Sequence, residues 1–305
     1  MASAREMRLR IRSVKSIAQV TRALETVSAA KVRKAIAVVN ATRPYAEKSW
    51  KLLVHLARQP GHASLHPLLK ERDEVKNVLV ILISGDRGLA GAFNVNLVKD
   101  ALDTFRDFSA GVSYIAVGRK GRDMLLRRRR NVIADFSDIP IAPSFASLSA
   151  VGHLAIEEYL EGRADQVFLV YTDFHSMVKQ DVVIRKLLPL EVEYAEDRVV
   201  AYNVTHHKTN SVFEYEPDDR RILEGIITRF TELQVYQAIL TSQASEQAAR
   251  MVSMRNATDN ARELIASLQM DYNKARQQAI TNDMLDITGG AEAMAAVAIK
   301  SEETA

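Results

Sequence analysis

IITRFTELQVYQAILTSQASEQAARMVSMRNATDNARELIASLQMDYNKARQQAITNDMLDIT, residues 226–288, contains neither glycine nor proline. At 1.5 Å per residue, about 63 residues of unbroken helix extend about 95 Å. Helices in compact domains average about three turns, so this one needs a partner along its length. Apolar residues recur at spacings of three and four: Ile226, Phe230, Leu233, Tyr236–Gln237, Leu240, Ala244, Ala248, Met251, Leu264, Leu268, Tyr272 and Ala279. That is the seam of a coiled coil.

The partner is supplied by the other end of the chain. From about Ala4 to Arg58 no glycine or proline occurs before Pro44. Here Ile11, Val14, Ala18, Thr21, Leu24, Val27–Ser28, Val32, Ala35, Val38 and Val39 keep the same spacing. Pro44 is expected to kink this helix or start a new turn, and Pro60-Gly61 to end it.

Between the helices the texture changes. Runs rich in Val and Ile at Asn77–Ser84, Val112–Val117, Gln166–Tyr171 and Asp181–Leu188 have strand length and suit burial on both faces. Helical stretches at Asn94–Phe108 and Ser147–Tyr159 separate them. Alternating strands and helices predict a mainly parallel α/β sheet. The expected fold is α/β: a long antiparallel coiled coil of the N- and C-terminal helices, with an inserted Rossmann-like domain. The boundaries drawn are 1–60 and 215–305 for the coiled coil and 75–212 for the α/β domain.

Composition narrows the chemistry. The chain has 305 residues, 47% hydrophobic and 26% charged, with a formal net charge of +3 and no cysteine. Disulfides, thiolate zinc sites, iron–sulfur clusters and cysteine nucleophiles are excluded. No apolar run is long enough to span a membrane, and the basic start lacks the apolar core of a signal peptide. The expectation is a cytoplasmic bacterial protein. Residues 1–60 hold about thirteen Lys and Arg against about three acids. Either a solvated helix face or a surface for an acidic partner explains that excess.

The glycine cluster SGDRGLAGAFN, Ser84–Asn94, follows the first strand. It admits two readings, a structural turn or a phosphate cradle at a helix start. Its spacing is neither G-x-G-x-x-G nor a loop ending G-K-[ST], which favours the turn. The basic run Arg127–Arg130 has no interleaved aromatic residues for base stacking, so nucleic acid is not expected. His206-His207 lacks further ligands for a metal, and His153, Asp173 and His175 lack a nucleophile motif. No catalytic, cofactor or metal site is expected. ASEQAARMVSMRNATDNA, Ala244–Ala261, is rich in small residues even outside the seam. High helix propensity explains this, as does a smooth surface that slides past another protein.

These stretches resemble the gamma subunit of F-type ATP synthases. The resemblance rests on SIAQVTRALETVSAAKVRKA (Ser16–Ala35), SGDRGLAGAFN, FEYEPD (Phe213–Asp218), ASEQAARMVSMRNATDNA, YNKARQQAIT (Tyr272–Thr281) and DITGGAEA (Asp286–Ala293). It covers about Arg5 to Ala293. It implies a non-catalytic rotor shaft, turning inside a hexamer of alpha and beta subunits and coupling an ion-driven membrane ring to ATP synthesis. Implied partners are alpha, beta and epsilon subunits and the ring of c subunits, on the cytoplasmic face of the bacterial membrane without insertion into it. Nucleotide and Mg²⁺ would be held by the partners. Carried onto this sequence, the contact residues are Leu24, Lys31, Arg33, Lys34, Tyr215, Glu216, Arg276, Gln277, Thr281 and Asp283. The small apolar stretch Ile280–Ile299 is expected to be the bearing end, with Gly289-Gly290 fraying the helix.

Three positions depart from the family pattern. Leu24 stands where Met is common, Asp283 where Glu is usual, and Ala90 where Cys is frequent. Leu190 runs to Phe213 without the cysteine-bearing insertion of chloroplast members, so thiol control is excluded. The alternative reading is a non-catalytic coiled-coil adaptor with a Rossmann-like module. A nucleotide-dependent enzyme would need a ligand at Ser84–Asn94.

Overall fold

The computed structural model describes residues 4–57, 66–106, 108, 111–190 and 219–303. The chain divides into two compact units, Met1–Glu25 with Met254–Ala305, and Thr26–Ser253. Two helices contribute to both: α1, Ala4–Ala57, of 54 residues, and α5, Asp219–Glu303, of 85 residues. Pro44 lies inside α1 without ending it. Gly289 and Gly290 likewise lie inside α5, so the expected break at that point is absent. Each glycine costs about 1 kcal/mol against alanine, which a helix of this length absorbs.

In the first unit the ends of α1 and α5 pair antiparallel. Thr21 and Thr258 meet hydroxyl to hydroxyl at 2.7 Å, and Arg8 donates to the Tyr272 hydroxyl at 2.6 Å. The guanidinium also lies over the Tyr272 ring, 5.5 Å from its centroid. Ile11 and Thr21 from α1, and Met254, Thr258 and Ala261 from α5, are buried in the seam. Half-buried Ile265, Leu268, Tyr272 and Ala275 extend it. One sequence assignment shifts by one residue: Leu264 is 49% exposed and Ile265 takes its place. Ala279, also expected in the seam, is exposed, beyond the last half-buried position at Ala275. Each hydroxyl also bonds a carbonyl of its own helix, Thr21 to Ala18 O at 3.1 Å and Thr258 to Met254 O at 2.9 Å, so neither polar group is left unsatisfied in the seam.

The second unit contains a five-stranded sheet in the order β3-β2-β1-β4-β5. Its strands are β1 (Asn77–Ile83), β2 (Gly111–Val117), β3 (Asn131–Phe136), β4 (Gln166–Phe174) and β5 (Gln180–Leu188). All neighbours are parallel except β4–β5. The sheet is therefore mainly parallel, as expected. The sequence had not shown β3, nor the short helix α3, Arg119–Arg127.

Alternation along β1 divides the core. Val78, Val80 and Leu82 pack with Leu97, Val98, Ala101 and Leu102 of α2 (Phe93–Thr104) and Leu125 of α3. Leu79, Ile81 and Ile83 face Val151, Ala155 and Ile156 of α4 (Phe145–Leu160), together with Phe230, Leu233 and Tyr236 of α5. Crossovers from β1 to β2 to β3 place α2 and α3 on one face; the reversed step from β3 to β4 places α4 on the other. Asp165 ties the opening of β1, accepting from Lys76 N, Asn77 N and Arg72 at 2.8, 2.8 and 2.9 Å. Burial alone would raise its pKa, but the two backbone amides and the Arg72 guanidinium together bring it below the usual carboxylate range.

Candidate partner interface

Open α/β sheets bind ligands outside the carboxyl ends of their strands, where the strand order reverses. Here that point lies between β1 and β4, and the chain's own helix α5 fills it. Ser242 Oγ donates to Ile83 O at 3.2 Å, at the last residue of β1. Gln243 Nε2 donates to Pro140 O at 3.0 Å, and Tyr236 OH to Pro143 O at 2.9 Å.

The glycine cluster receives the next turns of α5. Arg250 donates through Nε to Gly88 O at 3.2 Å and through a terminal nitrogen to Arg87 O at 3.3 Å, and it pairs with Glu246. A Cβ on Gly85 would stand 2.7 Å from the Glu246 carboxyl carbon, so a larger residue there would force that side chain to move. Gly118 closes the far side at φ +96°, where a Cβ would collide with Ser84 O at 2.2 Å. The Glu246 pKa is raised: burial is the main cause, opposed by Arg250, reinforced by Asp86 and opposed again by Lys31.

A carboxylate thus occupies the space that a phosphate would need, which supports the turn reading of Ser84–Asn94. We expect equilibrium dialysis of the isolated chain with ATP to show no micromolar binding; retention at that level would contradict the assignment. Among the described residues no group of three or more His, Cys, Asp or Glu could hold a metal ion.

Docking also explains the small residues in the first part of Ala244–Ala261. Ala244, Ser245, Gln247 and Ala248 are buried within the α/β unit, where α5 is enclosed on several sides and large side chains would not fit. Sequence reasoning missed this latch. Its one local signal is a Glu–Arg pair at i,i+4 within a run of small residues.

The residues implied by family resemblance fall into distinct settings. Leu24 is half-buried on α1 in the first unit. In the second unit Lys31 is half-buried and acts electrostatically on Glu246, whereas Arg33 and Lys34 are exposed. Arg33 Nε makes one long bond, 3.4 Å, to Ala29 O. Arg276, Gln277, Thr281 and Asp283 all lie exposed on α5, with the Thr281 hydroxyl donating back to Gln277 O at 3.0 Å. Tyr215 and Glu216 lie outside the described residues.

Beyond Ala275 every described side chain of α5 is exposed, through residue 292. Ile280, Met284 and Ile287, 47%, 66% and 72% exposed, form a stripe at i, i+4 and i+7. Arg276 and Asp283 stand at helical spacing along the same face. Among the described residues of its own unit nothing covers this apolar face, which polar groups flank. Of the expected bearing stretch, side chains 293–299 lie outside the described ones.

A family model described as ATP synthase matches residues 3–294. An ATP synthase gamma chain of Dehalococcoides mccartyi is 41% identical over 297 residues, 97% of this chain and 100% of that one. The ATP synthase gamma chain of Stenotrophomonas maltophilia is 42% identical over 297 residues, 96% of this chain and all of its own. Among solved structures, a chain of the Tetrahymena thermophila mitochondrial ATP synthase central stalk and c-ring matches at TM-score 0.58 and 25% identity, over 78% of this chain and 99% of that one. One from the Euglena gracilis mitochondrial ATP synthase, OSCP/F1/c-ring, matches in fold at TM-score 0.65 and 20% identity, over 95% and 94% of the two chains. The chain belongs to the ATP synthase gamma chain family.

Proposed function

We propose that this chain is the central rotor shaft of an F-type ATP synthase, turned by a membrane ring of c subunits and turning within a hexamer of alpha and beta subunits. The observation that carries this reading is the bare end of α5, residues 276–292, exposed on all sides and striped with apolar residues in a chain whose full-length relatives are gamma chains. The chain is a non-catalytic subunit. Residues 1–60 and 215–305 serve as shaft, and 75–212 as the α/β module, with epsilon as a further partner. Work passes by binding: each orientation of an asymmetric helix pair favours a different balance of open and closed beta conformations. Among the described residues no helix is long and apolar enough to cross a membrane. Family membership makes the chain part of a membrane-associated complex, and we assign it to the cytoplasmic face of a bacterial membrane.

Co-purification tests the reading. A tagged chain expressed in its own host should bring down alpha and beta subunits in fixed proportion. Recovery without them would favour an adaptor instead.

Two sets of substitutions probe the contacts. Arg276 offers a planar fork of donors suited to a carboxylate, and Gln277 stands beside it. Replacing both with Ala should lower coupled ATP synthesis about tenfold, the equivalent of about 1.4 kcal/mol of transition-state or binding energy. Circular dichroism should not change, because neither side chain supports the fold. Unchanged synthesis would remove these residues from the interface. Reversing Arg33 and Lys34 to Glu should act more weakly. Exposed pairs contribute about 0–1 kcal/mol and are screened by salt. The ATPase rate of the assembled complex should therefore shift at low ionic strength and return toward normal at high; identical kinetics at low salt would count against the contact.

A further inference from the structure

Helix α3 balances its first arginines with acids. Arg119 pairs with Asp138 at 2.6 Å and Arg122 with Asp135 at 3.1 Å. Its end does not follow this pattern. Arg127, Arg128, Arg129 and Arg130 are all exposed, and their side chains make no hydrogen bond or ion pair among the described residues. The turn that carries them is closed: the amides of Arg128 and Arg130 donate to Leu125 O at 3.0 and 3.1 Å, and that of Arg129 to Leu126 O at 2.9 Å. Arg129 adopts φ 55°, the left-handed conformation that lets the chain turn from α3 toward β3. Leu126, 53% exposed, stands beside them. The helix dipole accounts for a cation in the last turn, not for the three that follow it.

We propose that this tip, Leu126 with Arg127–Arg130, is a docking site for anionic phospholipid headgroups. Four exposed guanidiniums match phosphodiesters, each able to take a bidentate phosphate. The neighbouring Leu126 gives one apolar side chain to the interface while long arginine stems reach past it. Nucleic acid is disfavoured because no aromatic residue is interleaved to stack on bases. A fluid anionic surface also has no fixed angular pattern, so it attracts a turning body without holding it at one angle. The proposal uses the membrane that a member of this family works beside, and it stands whether or not the shaft turns.

The test is flotation of the full chain with vesicles of phosphatidylglycerol and phosphatidylcholine, compared with phosphatidylcholine alone. The chain should bind the anionic vesicles at low salt and be released near about 1 M salt, where the screening length falls to about 3 Å. The variant Arg127→Gln, Arg128→Gln, Arg129→Asn, Arg130→Gln should bind at least about tenfold more weakly, since four basic side chains no longer meet the anionic surface. Leu126→Ser should weaken binding measurably. Neutralising four cations of α1 instead, Arg5, Arg10, Arg12 and Lys15 to Gln, should leave it near the native level. Equal loss in both quadruple variants would reduce the effect to diffuse charge and overturn the proposal. Native binding by the tip variant would also overturn it. So would RNA binding that disappears in the tip variant while vesicle binding persists.

Discussion

Arg250→Ala is expected to cost the α/β unit about 3–5 kcal/mol, because it leaves Glu246 buried without its counter-charge. Arg250 and Glu246 are 7% and 8% exposed, and Arg250 also satisfies the carbonyls of Arg87 and Gly88. The pH dependence gives the prediction its sign. Burial holds the Glu246 pKa above its ordinary value even with Arg250 present. A raised folded-state pKa means that the stabilising contribution is complete below the unfolded value and is lost as pH rises through the folded one. Removing Arg250 raises the folded value further. The deficit of the mutant in urea should therefore be large at pH 8 and smaller at pH 5. Glu246→Gln added to Arg250→Ala should recover part of the loss, since no charge is then stranded. A deficit independent of pH and unaffected by the second substitution would show that Glu246 is not the stranded group.

Removing residues 276–305 is expected to leave the fold almost untouched and to damage the assembled machine. The described side chains of that segment are exposed, so the chain alone buries almost nothing with them. In an assembly the apolar stripe of Ile280, Met284 and Ile287 would be covered, at about 1.5–3 kcal/mol for each side chain fully buried. Losing part of that should weaken association with alpha and beta about tenfold or more, seen chiefly as faster dissociation. Some rotation should survive, because the paired helices below remain. Torque should fall, since the axle loses its centring contacts, which dispersion and hydrophobic burial supply without strong angular preference. Thermal melting of the free truncated chain should match that of the full chain. A large drop in melting temperature would mean that the segment packs within the chain, and normal assembly and torque would mean that it bears on nothing.

Much of the architecture was legible because its causes are local or periodic. Asn77–Ile83 is buried at every position but the first, so its sequence is an unbroken apolar run. Strand β3 sits at the sheet edge with alternate positions exposed, and NVIADF carries too few apolar residues to stand out. Helix α3 buries only Gly121 and Leu125, so its cations masked it. The coiled-coil seam was placed to within one residue as far as Tyr272, whereas Ala279, assigned to it, is exposed. At 264–265 the sequence offers adjacent apolar residues, and at 27–28 an apolar one beside a small polar one; only packing decides which faces inward. The latch of Glu246 and Arg250 upon Gly85 and Gly88 depends on segments more than 150 residues apart, which no local pattern reports. Arg276, Gln277, Thr281 and Asp283 were named from the family resemblance, and all four are exposed on α5.

The central claim is that this chain turns inside a hexamer. The natural sequence has no cysteine, so Val178→Cys, at a position 83% exposed beside β5, gives a single attachment point for a rotation probe. The labelled chain would be assembled with alpha and beta subunits, the hexamer fixed to a surface, and Mg-ATP supplied. The account predicts stepwise rotation of the probe in one direction, stopping when ATP is withdrawn. A hexamer that hydrolyses ATP while the probe stays still, or that assembles and excludes this chain, would contradict it.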